Sequence, residues 1–83
     1  MLVELINSDP RQGRTTTVDL PVTAANIAYA LQRRGVKFYV DRVEYGYDLS
    51  AEINGNIIAR KTVSVIEESV MDSVISEAAR NYK

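Results

Sequence analysis

The sequence predicts one small α+β domain over residues 1–83, with a mostly antiparallel sheet and two helices in the order ββαβββα. Three observations favour this class: short alternating runs between turn residues, two stretches with the helical spacing of apolar residues, and an Asn54-Gly55 pair between strand-like runs. The chain has 83 residues, of which 46% are hydrophobic and 25% charged. That size and composition suit one ordered domain with a single modest core.

The first half of the chain predicts two strands and a helix. Residues 2–6 and 15–20 are rich in aliphatic or β-branched side chains, so each is expected to form a strand. The helix is expected over residues 24–34 because its apolar residues share one helical face. Thr23 has the right chemistry for the N-cap of this helix, and Gly35 for the residue just past its end.

The second half predicts three further strands with an irregularity among them. Apolar residues occupy even positions up to Val40 and odd positions from Val43 onward. Because successive side chains of a strand point to opposite faces, this change of phase predicts a bulge or bend near residues 41–42. Asn54 and Gly55 suit the positive φ angles of a type I′ hairpin turn. The facing pairs expected from that turn are Ala51 with Ile58 and Asp48 with Lys61.

The last helix is expected over residues 65–80. Ser64 and Glu67 have the spacing of a capping box, in which each side chain satisfies a free backbone N–H of the first turn. The apolar stripe of this helix packs either on the core or against a second copy of the chain. Its members are Ile66, Val70, Met71, Val74, Ile75 and Ala78.

Side chains suited to catalysis are scarce. The chain has no His and no Cys, so it lacks the commonest general base, the thiol nucleophile and the best zinc ligands. Its four glycines are isolated rather than grouped in a phosphate-binding loop. Carboxylates occur between residues 41 and 52, but without the spacing of a calcium loop. The sequence therefore predicts a protein that is not an enzyme and has no metal site and no cofactor.

Composition also narrows the partners and the location. The net charge is −1, from 10 basic and 11 acidic residues, which is neither the basic excess of a typical nucleic-acid binder nor the acidic excess of a DNA mimic. Small secreted domains usually carry disulfides, and the N-terminal apolar run lacks the features of a signal peptide. No apolar stretch approaches the roughly 20 residues that span a bilayer. We expect a cytoplasmic protein without a membrane segment.

Residues 38–52 form the candidate protein-binding region. Tyrosine is enriched in protein interfaces because it combines a large ring with a hydroxyl, and acidic residues surround the tyrosines here. Tyr39 alternates with apolar neighbours and is expected to be the most exposed tyrosine. Tyr45 and Tyr47 share their parity with core positions, so packing in the core is an open alternative for them. The candidate residues are Tyr39, Asp41, Glu44, Tyr45, Tyr47 and Asp48.

A basic set offers a second candidate surface, for nucleic acid. It would form one positive patch if the first loop and the end of the first helix lay together. Ordinary solvation and helix capping also account for these residues. The set consists of Arg11, Arg14, Arg33, Arg34 and Lys37.

Residues 19–42, DLPVTAANIAYALQRRGVKFYVDR, resemble a segment of ArdA-type antirestriction proteins of mobile elements. In both, a strand ending in Leu-Pro leads into a helix with an Ala-Leu-x-Arg core, and a Gly then precedes a strand with acidic residues. That family is larger, strongly acidic and mimics DNA, whereas this chain is nearly neutral. The resemblance therefore implies a related small module or a mobile-element origin, and not DNA mimicry.

These observations predict a small non-enzymatic protein-binding module. The specific form favoured is a phage or mobile-element inhibitor of a host defence nuclease, a restriction or CRISPR effector, that docks on the nucleic-acid-binding surface of that enzyme. The expected partner is thus a host or phage protein in a nucleic-acid-processing complex. Two alternatives stay open: a regulatory homodimer that binds nucleic acid through the basic set and pairs through its last helix, and a structural subunit of a larger assembly.

Overall fold

A computed structural model of the chain describes residues 1–82, which contain five strands, two α-helices and a 3₁₀ turn at Pro10–Gln12. The elements follow one another as ββαβββα, as the sequence predicts. Their bounds are β1 (Leu2–Asn7), β2 (Thr15–Asp19), α1 (Val22–Arg33), β3 (Lys37–Val43), β4 (Gly46–Ile53), β5 (Asn56–Val63) and α2 (Glu68–Asn81).

The strands form one mixed sheet in the order β2-β1-β3-β4-β5. The pairs β1–β2, β3–β4 and β4–β5 are antiparallel, and β1–β3 is parallel. The predicted α+β class with a mostly antiparallel sheet is confirmed. The crossover through α1 is long enough to return the chain in parallel beside β1, which a hairpin cannot do.

The parallel pair is short. Strands β1 and β3 pair only at Ile6 with Tyr39 and at Asn7 with Val40. Toward the start of each strand the two diverge, and α1 fills the gap. The Tyr29 hydroxyl donates a hydrogen bond to the Leu2 carbonyl. In the same way, the amide of Gln32 donates to the Glu4 carbonyl at 3.2 Å. Side chains of α1 thus satisfy backbone groups that β3 leaves free.

Both helices pack on one face of the sheet and form the core with it. Leu5, Phe38 and Leu49 project from three neighbouring strands into the same cluster as Ala28 of α1 and Ile75 of α2. The buried core consists of Val3, Leu5, Leu20, Ala24, Ala25, Ala28, Leu31, Val36, Phe38, Val40, Leu49, Ala51, Ala59, Met71, Val74, Ile75 and Ala78. The apolar stripe of α2 is therefore buried against the core of its own chain. It is not exposed as a surface for a second copy.

The change of hydrophobic phase arises from a turn and not from a bulge. Strand β3 continues without a register shift through residues 41–42 to Val43, and a turn at residues 44–45 reverses the chain into β4. Across this hairpin the even-numbered Val40 faces the odd-numbered Leu49. A two-residue turn therefore places even and odd positions on the same face. The predicted bulge near residues 41–42 was wrong.

Gly46, the first residue of β4, is required by a close approach of backbone. Its φ is 151°, and a Cβ at this position would lie 2.0 Å from the carbonyl oxygen of Val63 at the end of β5. Every other residue type would collide there with backbone that cannot move aside. Glycine thus lets the end of β5 close over the start of β4.

The second hairpin follows the sequence prediction only next to its turn. Asn54 and Gly55 have φ of 52° and 82°, the positive values that a type I′ turn requires. Beyond the first two pairs, a register shift beside Ala51 adds one residue to β5. The expected pairs were therefore wrong by one position: Ala51 faces Ala59 instead of Ile58, and Asp48 faces Thr62 instead of Lys61.

Both helices begin at residues other than those predicted. Helix α1 has Pro21 as its N-cap, without a side-chain cap, so Thr23 lies inside the first turn. Helix α2 has Glu67 as its N-cap, again without a side-chain cap, and the predicted capping box of Ser64 and Glu67 does not form. The reason is that β5 extends to Val63, which leaves Ser64 in a bend that leads across the end of the sheet. Neither helix of residues 1–82 is long and apolar enough to cross a membrane.

Candidate functional site

The candidate site lies on the side of the sheet opposite the helices, called the open face below. The strand neighbours of its residues point into the core: Phe38, Val40 and Leu49 are 2%, 5% and 1% exposed. Because side chains alternate along a strand, the residues between them point away from the helices. The open face consists of Thr15, Thr17 and Asp19 from β2, Leu2, Glu4 and Ile6 from β1, Lys37, Tyr39 and Asp41 from β3, Asp48, Ser50 and Glu52 from β4, and Ile57, Arg60 and Thr62 from β5.

Two carboxylates face each other near the middle of the open face. Asp41 of β3 lies directly opposite Asp48 of β4 in the strand register. Directly opposed residues of antiparallel strands have their Cβ atoms about 5 Å apart, so like charges there repel. Both residues are partly buried. This arrangement disfavours the folded state unless each charge has a partner.

Asp48 has its partner within the chain. The guanidinium of Arg60 donates to both carboxylate oxygens of Asp48, with a closest distance of 2.8 Å. The hydroxyl of Thr62 lies 3.4 Å from the same carboxylate. The hydrogen bonds from Arg60 to Asp48, together with the negative charge, raise the pKa of the guanidinium above its ordinary value. Asp48 is therefore a neutralised member of the pair.

Asp41 has no such partner. Within the part of the chain that the structure describes, no basic nitrogen lies within 4.0 Å of its carboxylate. Its strand neighbour on the same face is the partly buried Tyr39, which in turn lies beside Ile6 of β1. A ring, an aliphatic side chain and an uncompensated carboxylate thus lie next to one another.

A shallow groove adjoins this group where β1 and β3 diverge. It encloses about 540 Å³ and its apolar lining includes Leu2, Ile6 and Val36. Leu2 is 64% exposed and Ile6 36% exposed. Neither residue is among the predicted site residues, although the alternation of β1 already separates Leu2 and Ile6 from the core residues Val3 and Leu5. The groove gives the open face an apolar depression that reaches Ile6, the strand neighbour of Tyr39.

The structure divides the six candidate protein-binding residues among three places. Tyr39, Asp41 and Asp48 share the open face. Glu44 and Tyr45 form the turn between β3 and β4 at the end of that face.

Tyr45 is 85% exposed, so the expectation that Tyr39 is the most exposed tyrosine was wrong. The alternative that Tyr45 packs in the core does not apply either. Parity reasoning failed because Tyr45 belongs to the turn and not to a strand. Tyr47 points to the helix side, packs against the core and lies under the Arg42 guanidinium, 5.9 Å from its ring centroid.

The basic set does not form one patch. Strands β1 and β3 are parallel and adjacent, so the loop after β1 and the residues before β3 lie at opposite ends of the sheet. The first group is Arg11 and Arg14, and the second is Arg33, Arg34 and Lys37.

Two of these basic residues also have local partners. Arg11 pairs with Asp9 at 3.1 Å and lowers the pKa of that carboxyl through its side-chain and backbone hydrogen bonds. Arg34 lies over the ring of Tyr82, 5.8 Å from the centroid. The condition under which the basic residues would act together is not met.

A smaller pocket lies on the helix side, at the end of the sheet near the first loop. It encloses about 230 Å³, and Asn7, Gln12 and Arg42 contribute polar groups to its lining. The amide of Asn7 already donates to the carbonyls of Gln12 and Gly13, both at 3.1 Å, and accepts from Thr16 at 2.6 Å. Residues 1–82 contain no cluster of three side chains suited to a metal ion. Most of the polar groups here hold the loop in place.

In comparisons with known proteins, no family model, no curated protein and no solved structure matches this chain. The geometry of the open face is therefore the basis of the functional argument.

Proposed function

We propose that this chain is a non-enzymatic binding module that docks through its open face on a positively charged surface of a partner protein. The proposal is based on the position of Asp41. This partly buried carboxylate lies opposite Asp48 and has no basic partner within residues 1–82. Opposed like charges cost the folded state stability. An arginine or lysine of a partner would offset that cost in the complex.

Apolar groups near Asp41 also favour the open face as the binding surface. Tyr39 presents a ring and a hydroxyl, the combination that anchors many protein interfaces. Ile6 and the groove next to it provide room for an apolar side chain of the partner. An apolar centre with charged groups around it is the usual anatomy of a protein–protein interface.

The excess of acidic side chains on the open face favours a partner with a basic surface. The acidic side chains of the open face are Glu4, Asp19, Asp41, Asp48 and Glu52, and its basic ones are Lys37 and Arg60. Proteins that bind nucleic acid expose surfaces rich in lysine and arginine, because these neutralise phosphates. The partner class proposed is therefore a nucleic-acid-processing protein, met in the cytoplasm. The more specific form is inhibition of a host defence nuclease by a phage or mobile-element protein, which agrees with the antirestriction resemblance of residues 19–42.

The test compares a variant of the open face with one of equal charge change elsewhere. Wild type, the double variant Tyr39→Ala/Asp41→Asn and the control Asp72→Asn are used as baits in nuclease-treated bacterial lysate. Asp72 is an exposed carboxylate of α2, on the helix side. We expect wild type and control to capture the same stoichiometric partner, with affinity that falls as salt rises, and the double variant to lose it.

Two results would contradict this function. Capture of the partner by the double variant with unchanged affinity would show that the open face is not the binding surface. Loss of all recovery after nuclease treatment would instead favour the nucleic-acid-binding alternative. Circular dichroism of each variant checks that the loss of binding is not a loss of fold.

A further inference from the structure

The two edge strands of the sheet differ in how they are protected against pairing with another strand. Strand β5 is protected in three ways. A register shift interrupts its ladder beside Ala51, and the positively charged Arg60 and Lys61 lie at its centre. In addition, the Asn81 side chain of α2 donates to the backbone carbonyl of Ile58 at 2.7 Å. Bulges, charges and capped backbone groups are the usual means of preventing edge-to-edge association.

Strand β2 itself has no register shift and no basic residue, and Glu67 and Glu68 at the start of α2 line a pocket with it. Its sequence, TTTVD, contains no proline and no lysine or arginine. It pairs with β1 in five consecutive positions without a shift. Thr15 and Thr17 are exposed. The strand itself is therefore regularly paired and uncharged except at Asp19.

The register shows which backbone groups of β2 are free. Met1 and Leu20 exchange hydrogen bonds in both directions, at 2.7 and 2.8 Å. In an antiparallel ladder hydrogen-bonded and non-hydrogen-bonded pairs alternate, so Val18 and Thr16 also point their backbone groups toward β1. The N–H and C=O groups of Thr15, Thr17 and Asp19 consequently point away from the sheet. This outward row is a template for a further strand.

We propose that β2 pairs antiparallel with β2 of a second copy of this chain, so that two five-stranded sheets join into one. The twofold axis passes beside Thr17, which faces Thr17 of the second copy. Thr15 then faces Asp19 of the copy, and the same pair recurs on the other side of the axis. Three facing pairs with two bonds each give about six backbone hydrogen bonds.

Strand β2 is self-complementary, so a second copy of the chain fits this edge. In this register the Asp19 carboxylate faces a threonine and not another carboxylate, so no like charges oppose each other. On the helix side, the partly buried Val18 faces Thr16 of the copy, and each covers the other. This interface uses neither Tyr39 nor Asp41, although Thr15 and Thr17 also line the groove beside Ile6.

Cysteine substitution tests the register directly, because the chain has no cysteine of its own. Facing residues of a hydrogen-bonded antiparallel pair have Cα atoms about 5.5 Å apart, within the range that a disulfide spans. Under mild oxidation we expect Thr17→Cys to form a covalent dimer. The matched control is Thr62→Cys, on the protected edge strand β5, which stays monomeric. Equal cross-linking of the two variants, or none of Thr17→Cys, would overturn the proposal.

Sedimentation equilibrium of the full chain provides the second measurement. We expect wild type and Thr17→Val to dimerise alike, because valine keeps the N–H and the β-branched shape. Thr17→Pro removes an outward N–H from each copy, and Thr17→Lys places two like charges opposite each other, so each is expected to weaken dimerisation at least tenfold. A monomeric wild type at about millimolar concentration, or a dimer that both variants leave intact, would contradict pairing through β2.

Discussion

The same strands present two faces of opposite character, and the contrast separates stability from binding. On the helix side, Leu5, Phe38 and Leu49 are at most 2% exposed and form the core with α1 and α2. On the open face, one residue further along β3 or β4, the side chains are Tyr39 and Ser50, with carboxylates beside them. Because alternation assigns each position to one face, a residue can be changed for binding while its neighbour continues to hold the fold.

Substitutions on the helix side should change the free energy of unfolding most. Leu49→Ala leaves a cavity in the core, and we expect a loss of about 2–5 kcal/mol in the free energy of unfolding. Its neighbour on the open face serves as the control, since Ser50→Ala removes one small polar group and is expected to stay within about 0.5 kcal/mol of wild type. Urea unfolding followed by circular dichroism measures both. Similar losses for the two variants would show that the faces are not distinct in stability.

Two glycines with positive φ differ in whether backbone lies close to them, so substitution of each measures the cost of that close contact. Gly46→Ala is expected to destabilise the fold by more than about 1 kcal/mol, because the new Cβ meets the carbonyl of Val63. Gly35→Ala is the control: its φ is 97°, but apart from its chain neighbours no atom lies within 4 Å of the added Cβ. Thermal and urea unfolding of both variants give the comparison. If Gly35→Ala costs as much as Gly46→Ala, the contact with Val63 has no role.

A smaller effect is expected at the opposed carboxylates of the open face. Asp41→Asn removes the repulsion and keeps the Asp48–Arg60 ion pair, so we expect a gain of about 0.2–1 kcal/mol in the free energy of unfolding. Asp48→Asn relieves the same repulsion but breaks the ion pair with Arg60, so no gain is expected. Urea unfolding at low and high salt measures both, since screening shrinks the difference. A loss of stability in Asp41→Asn would mean that its charge has a partner in the folded chain.

The smallest effect lies away from both faces, in the loop after β1. Arg11 lowers the pKa of Asp9 below its ordinary value of 3.8. A carboxyl whose pKa is lower in the folded state contributes stability above its unfolded pKa, and loses this contribution as pH falls through the folded pKa. We therefore expect Asp9→Asn to flatten slightly the pH dependence of unfolding below about pH 4. An identical acid profile for wild type and variant would show that the pair with Arg11 has no effect on stability.

Local sequence patterns were sufficient to predict much of the fold and part of the candidate site. The number, type and order of the elements followed from periodicity, and Asn54-Gly55 identified its turn, because these depend on neighbours in sequence. The face of Tyr39 also followed from its parity. The exposure of Tyr45 did not, because a turn residue belongs to neither face of a strand. The predicted caps at Thr23 and Ser64 failed because the actual helix starts depend on where the preceding segments end.

Local sequence patterns establish which residues can form strands and helices and which of them are apolar enough for a core. Composition alone also reveals the lack of His and Cys. The parallel pairing of β3 with β1, the ion pair of Arg60 with Asp48 and not with Asp41, and the separation of the basic residues to opposite ends of the sheet become visible only in the folded chain. Strand register and sheet order depend on contacts between residues far apart in the chain, and local propensity does not encode such contacts.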